Sequence, residues 1–166
     1  MRWLLALLTC TCVAGQEPVF LPEPPWYQLG PAPLRVMASS DLDEYAESVS
    51  AAVRFWNREL GCDVFVLYEG IAPDVIIELG GNSSAAAGSA QLVGGHALVL
   101  IFNNGLADIT IAYLVLAHEL GHVLGLAHDY QRNSVMYRRV TDVWPLMVTD
   151  ADRAALKARY CRSDNS

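Results

Sequence analysis

The sequence is poor in charge, and above all in positive charge. Of its 166 residues, 11 are lysine or arginine and 18 are acidic, so the formal net charge is −7. Binding to a nucleic-acid backbone needs clustered positive charge, and this chain has no basic stripe. Hydrophobic residues make up 53% of the chain, a content that excludes an intrinsically disordered protein. We therefore expect one folded domain that does not bind nucleic acid.

The chain also lacks an apolar run long enough for a lasting transmembrane anchor. Residues 1–15 come closest: they have the basic residue Arg2 near the start, continue with an apolar stretch and end on two small residues. This order is typical of a secretory signal peptide, and the stretch is too short to remain as an anchor. We expect export, to the periplasm, the cell surface or the medium. The alternative is a lipoprotein that carries its lipid on Cys10 or Cys12.

Cysteine is scarce as well, with four in the whole chain. Cleavage of the signal peptide would leave Cys62 and Cys161, which lack the spacing of zinc ligands. A lone pair in an exported chain predicts one disulfide. Such a bond closes a loop of about a hundred residues, which the chain-entropy model values at up to about 4–5 kcal/mol. The alternative is two separate buried thiols.

Proline divides the remaining chain. Six of the eight prolines fall in residues 16–33, which predicts an extended N-terminal arm without helix or central strand. Residues 34–166 are then one domain. Within it, helical spacing of apolar residues predicts a helix that is capped by Asp41 or Asp43 and ends at Gly61. Further predicted elements are strands at 34–37, 63–68, 74–79 and 95–103, a loop at 80–88 and a last helix at 149–160.

One segment concentrates chemically active residues: HELGHVLGLAH, residues 118–128. Positions four apart lie one turn apart on a helix, so His118 and His122 can bind one metal ion. Gly125 can adopt positive φ, end the helix and return His128 as a third ligand. Glu119 lies beside the metal, where it can take a proton from water. Three protein ligands leave a position open for water, as in catalytic zinc sites.

This segment resembles the signature of the metzincin zinc metalloproteases, H-E-x-x-H-x-x-G-x-x-H, at every fixed position. Met136, eight residues after His128, is placed for the methionine turn beneath the metal, where it supports the imidazoles without being a ligand. Residues 110–140 look most like the matrixin branch. The resemblance implies an α+β, zincin-like fold: a twisted, mostly parallel sheet with an antiparallel edge strand, a long active-site helix and a C-terminal helix. Asp129 departs from matrixins, in which serine usually follows the third histidine.

The resemblance also implies how substrate and latency are handled. In metzincins the strand before the active-site helix lies at the sheet edge and pairs with the peptide substrate, which points to His96–Phe102. His96 itself is expected to be a surface or strand residue rather than a ligand. Matrixins are typically held latent by a propeptide cysteine. No cysteine lies between residues 16 and 61, so that device is absent here.

We therefore expect a secreted, monomeric endopeptidase with one catalytic Zn²⁺ ion that cleaves protein or peptide substrates. His118, His122 and His128 are the expected ligands, Glu119 the general base, and Gly125 and Met136 the structural supports. Two alternatives stay open. One is a zinc-binding recognition module without catalysis, which the intact Glu119 counts against. The other is a metal hydrolase of cell-wall peptides, which the sequence does not distinguish from a protease.

Overall fold

The computed structural model describes residues 29–83, 86–142 and 145–161. The predicted signal peptide, with Cys10 and Cys12, and most of the predicted arm lie outside these ranges. Within them the chain forms five strands and three α-helices, and none of these helices is long and apolar enough to cross a membrane. The elements are β1 (Leu34–Ala38), α1 (Ala46–Leu60), β2 (Phe65–Leu67), β3 (Val75–Leu79), β4 (Gly88–Val93), β5 (His96–Ile101), α2 (Ile109–Val123) and α3 (Asp150–Tyr160).

The five strands form one sheet in the order β2-β1-β3-β5-β4. The pairs β1–β2, β1–β3 and β3–β5 are parallel, whereas β4 runs antiparallel to β5 at one edge. Parallel neighbours require crossover connections, and α1 is the crossover between β1 and β2. The expected fold class, a mostly parallel sheet with an antiparallel edge strand and flanking helices, is confirmed.

The core lies between one face of the sheet and helices α1 and α2. In β5, Ala97, Val99 and Ile101 are fully buried, whereas Leu98 and Leu100 on the opposite face stay partly exposed. This is the period of two that a strand imposes on its side chains. Helix α1 packs against α2 and β2, and α2 contacts β4 and β5. The buried apolar side of α1 has helical spacing: Val49, Val53, Trp56 and Leu60.

The expected edge strand was wrong. Of the predicted segment His96–Phe102, all but Phe102 forms β5, which lies between β3 and β4 inside the sheet. The edge is β4, which begins at Gly88, the last residue of the predicted loop. Its sequence, GSAQLV, has low β-propensity and little alternation, so the pattern alone predicts no strand. Backbone pairing with β5, from Gly88–Ile101 to Val93–His96, forms this strand.

The predicted cap of α1 was wrong as well. Asp41 and Asp43 lie in a short 3₁₀ turn, Ser40–Tyr45, and α1 begins after Tyr45 without a side-chain cap. The turn buries Leu42, so packing decides where the helix begins. The end of α1 is as expected: Gly61 adopts φ 69°, and its N–H donates to the Asn57 carbonyl over 2.8 Å.

Cys62 and Cys161 form the disulfide expected from the sequence, with a Cα–Cα distance of 5.8 Å. Cys62 lies two residues after the end of α1, and Cys161 directly follows α3, so the bond joins the ends of these helices. Helix α3 begins at Asp150 and is capped by Thr149, whose hydroxyl accepts a hydrogen bond from the Asp152 N–H. The disulfide therefore ties the C-terminal end of α3 to the end of α1.

Candidate metal centre

Three of the four chemically active residues of the motif, His118, Glu119 and His122, lie on the buried helix α2. Its N-cap is Asp108, whose Oδ1 accepts from the N–H groups of Thr110 and Ile111, each over 2.8 Å. From residue 114 to residue 121 every side chain is buried. His118 and Glu119 therefore project from a rigid, packed element rather than from a surface helix.

A sharp turn after α2 returns the chain to the same site. The helix ends at Val123, and Gly125 adopts φ 97°, a left-handed conformation that other residues rarely take. The Gly125 N–H donates to the His122 carbonyl over 2.9 Å, and the Leu126 N–H donates to the Gly121 carbonyl over 3.1 Å. These bonds close the helix end. The chain then reverses and places His128 opposite the two helical histidines.

The three imidazoles converge on one point. The Nε2 atom of His128 lies 3.2 Å from Nε2 of His118 and 3.2 Å from Nε2 of His122. A tetrahedral zinc ion with Zn–N bonds of about 2.0–2.1 Å separates its ligand nitrogens by roughly 3.4 Å. Among the described residues, these three histidines form the group able to hold a metal ion. The donor set and its spacing therefore fit zinc.

Backbone carbonyls orient two of the rings. His118 Nδ1 lies 2.7 Å from the Val135 carbonyl oxygen, and His122 Nδ1 lies 2.8 Å from the Leu126 carbonyl oxygen. Each Nδ1–H can donate to its carbonyl, which leaves the Nε2 lone pair free to bind a metal. A second hydrogen bond of this kind is what fixes the tautomer and direction of metal-binding histidines.

The protein keeps these imidazoles neutral. Burial, and next the charge of His122, lowers the pKa of His118 to about 3. Burial, followed by the charges of His122 and Arg138, lowers the pKa of His128 to about 4. Burial also lowers the pKa of His122. Only a neutral imidazole offers a lone pair to a metal, so the site is prepared for a cation at neutral pH.

Glu119 follows His118 on α2 and is buried. Its side chain is 5% exposed, and burial raises its pKa to about 8. A carboxylate of high proton affinity is suited to accept a proton during a reaction, and a nearby divalent cation would favour its charged form. Its burial and its place directly after His118 on α2 make Glu119 a candidate proton acceptor.

The methionine turn packs directly beneath the helix. Met136 is fully buried, and a Cβ on Gly121 would overlap its Sδ atom and lie 2.9 Å from Cζ2 of Trp56. The Met136 carbonyl accepts from the Asp129 N–H over 2.9 Å, which ties the turn to the segment after His128. Gly121 therefore permits the close approach of helix and turn.

Trp56 is a supporting residue that the motif does not reveal. Its Nε1–H donates to the carbonyl of Ala117 over 2.8 Å, one residue before His118. Helical spacing of apolar residues indicates only that Trp56 lies in the core. The hydrogen bond to α2 becomes visible only in the folded chain. His96, by contrast, begins β5 and is not part of the metal-binding group.

Comparison with known proteins agrees with this geometry. Residues 102–161 match the family model of the peptidases described as Matrixin. No curated protein matches the chain. The matched region runs from the end of β5 to the end of α3, so it includes the three histidines, Glu119 and the methionine turn. The matched segment, together with the mostly parallel sheet and its antiparallel edge strand, matches the fold of a matrixin-type metzincin catalytic domain.

Proposed function

We propose that this protein is a secreted zinc-dependent endopeptidase. The observation that carries the proposal is the convergence of three imidazole Nε2 atoms, two of them 3.2 Å from the third, beside the buried Glu119. Three neutral nitrogen ligands leave room for water and substrate, which a structural zinc site with four protein ligands does not.

His118, His122 and His128 would hold the metal. When bound there, zinc polarises a carbonyl group and lowers the pKa of water at the site. Glu119 accepts a proton from the water that attacks the peptide carbonyl carbon. The bond between that carbon and the amide nitrogen then breaks, and Glu119 delivers the proton to the departing amine. Water is consumed, and a carboxylic acid and an amine are formed, which ionise to a carboxylate and an ammonium group.

The substrate would lie along β4. This strand pairs with β5 on one side, and its other side faces no strand among the described residues. Helix α2 contacts β4, and Gly88 at the start of the strand lies against Glu119. An extended peptide that adds to this free edge by main-chain hydrogen bonds would pass beside the base.

The disulfide and the composition of the N-terminal residues support the export that we propose. The Cys62–Cys161 disulfide is compatible with an extracellular location, because such bonds persist in oxidising compartments. The composition of residues 1–15 supports a signal peptide and that of residues 16–33 an exposed arm. We include both in the proposal, together with a monomeric state.

The test measures metal content and peptide cleavage on one preparation of the protein, with and without a chelator. We expect one zinc ion per chain and cleavage that the chelator abolishes and added zinc restores. Zinc without cleavage of any peptide would reject the endopeptidase and leave the recognition module or the hydrolase of cell-wall peptides. Fragments of cell-wall peptide, tested in parallel, separate these two. Failure to bind zinc would reject the metal centre itself.

A further inference from the structure

Gly88 leaves a gap that the side chain of Glu119 fills. A Cβ atom on Gly88 would lie 2.7 Å from Oε1 and 2.9 Å from Cγ of Glu119. It would also lie 2.8 Å from Cγ1 of Val115, one helical turn earlier on α2. All three distances are shorter than carbon and oxygen atoms tolerate without a bond. The absence of a side chain at position 88 is therefore what allows β4 and Glu119 to lie so close.

Neither side of this contact can move away easily. Val115 is β-branched and fully buried on α2, and Glu119 is buried beside it. On the other side, the Phe102 N–H donates to the carbonyl of Ala87 over 2.9 Å. A Cβ on Gly105 would overlap that same carbonyl oxygen, so the turn after β5 packs closely against it. The start of β4 is thus held between this turn and the helix.

We propose that Gly88 is a positioning residue that sets the place of the Glu119 carboxylate relative to the free edge of β4. The inference rests on the proposed function, in which a peptide lies along β4 and Glu119 takes the proton. Any side chain at position 88 must push the carboxylate away or push β4 off α2. Both movements change the distance between the base and a peptide on that edge.

The first experiment compares Gly88→Ala with wild type in the zinc-loaded enzyme. We expect kcat to fall about ten- to a hundredfold, since a displacement near 1 Å can have an effect of this size. Zinc content should be unchanged, because no ligand is touched. KM should change less than about twofold, the pattern of an interaction made in the transition state.

Gly80→Ala is the matched control for crowding alone. A Cβ there would lie 2.6 Å from the ring of Phe102 and 3.1 Å from Cβ of Leu100, contacts as short but not with the metal centre. We expect this variant to lose stability and to keep its kcat. Equal loss of kcat in both variants, or wild-type kcat in Gly88→Ala, would overturn the proposal.

The second experiment needs no catalysis. The midpoint of thermal unfolding is measured for wild type, Gly88→Ala, Glu119→Ala and the double variant, all with zinc bound. If Gly88 makes room for Glu119, the fall in midpoint caused by Gly88→Ala is smaller when Glu119 is already alanine. An equal fall in wild type and in Glu119→Ala would overturn the proposal that Gly88 and Glu119 interact.

The two experiments separate the possible failures. If wild type cleaves no peptide, the proposed function fails, and the unfolding cycle still decides whether Gly88 positions Glu119. If Gly88→Ala alone does not fold, a folded double variant supports the proposal. If the double variant does not fold either, the steric clash is with Val115 rather than Glu119, and the proposal is overturned.

Discussion

The two edges of the sheet are built in opposite ways. The β4 edge starts with Gly88, Ser89 and Ala90 and lies against the buried Glu119. The β2 edge is held by side chains: Asn57 donates to the Phe65 carbonyl and accepts from the N–H groups of Val64 and Phe65. The disulfide at Cys62 lies just before that strand. The β4 side contains a buried ionisable group. On the β2 side, the polar backbone groups are hydrogen-bonded to a side chain, and a disulfide adds a covalent link.

This contrast predicts that changes at the β4 side alter activity and changes at the β2 side alter stability. The largest effect is expected for Glu119→Ala. General acid–base catalysis contributes about 10²–10⁴-fold, so kcat should fall by roughly that factor. Zinc content and the unfolding midpoint should not fall, because the variant removes a buried ionisable group and no ligand. Peptide cleavage and metal analysis on the same sample check this, and wild-type cleavage would contradict the role of Glu119.

Replacement of Gly125 by alanine tests the turn that returns His128. Its φ of 97° is strained for any residue with a Cβ, so the turn should open and move His128 away from the other two histidines. We expect zinc affinity to fall about 10–100-fold, as when the support of a ligand is lost. Competition with a chelator measures it. Gly30→Ala, where a Cβ meets nothing within 4 Å, is the control and should bind zinc like wild type.

On the β2 side, removal of the disulfide should lower stability and spare catalysis. Its loop spans 99 residues, for which chain entropy predicts a loss of up to about 4–5 kcal/mol in the free energy of unfolding. Urea unfolding of Cys62→Ser/Cys161→Ser measures the loss. Its kcat, measured at a temperature where the variant is folded, should match that of wild type. A large fall in kcat would show that the two sides are coupled.

Asn57→Ala should have a smaller effect of the same kind. The carbonyl and N–H of Phe65 and the N–H of Val64 lose their hydrogen-bond partner. Unsatisfied polar groups of this kind lower the free energy of unfolding by about 1–3 kcal/mol. Urea unfolding is the measurement. Arg58→Ala on the exposed side of the same helix should change stability by about 0.5 kcal/mol or less. Equal losses in both variants would contradict a specific role for Asn57.

The smallest effect concerns acid stability. The side chain of Arg35 hydrogen-bonds to Asp74 and lowers the pKa of that carboxyl group. A lowered pKa stabilises the folded state above the unfolded value of about 3.9, and the contribution is lost as the pH falls through the folded value. The difference in stability between wild type and Asp74→Asn should therefore be present at pH 6 and shrink below about pH 4. A difference that does not depend on pH would contradict this.

Local spacing in the sequence was enough to predict the candidate metal-binding residues and the proposed proton acceptor. His118, Glu119 and His122 lie within one helical turn, and Gly125 provides the local bend for His128, so spacing alone indicates their geometry. Counting cysteines was enough to predict the disulfide, and apolar periodicity to predict most of the elements.

Which strand lies at the sheet edge, and which distant residues support the site, depend on how the whole chain folds. The strand β4 has no periodic signal and exists because it pairs with β5. The contacts of Gly88 with Glu119, of Trp56 with Ala117 and of Gly121 with Met136 join residues far apart in the chain. Such contacts depend on how whole elements pack, and packing between distant segments leaves no mark on local spacing.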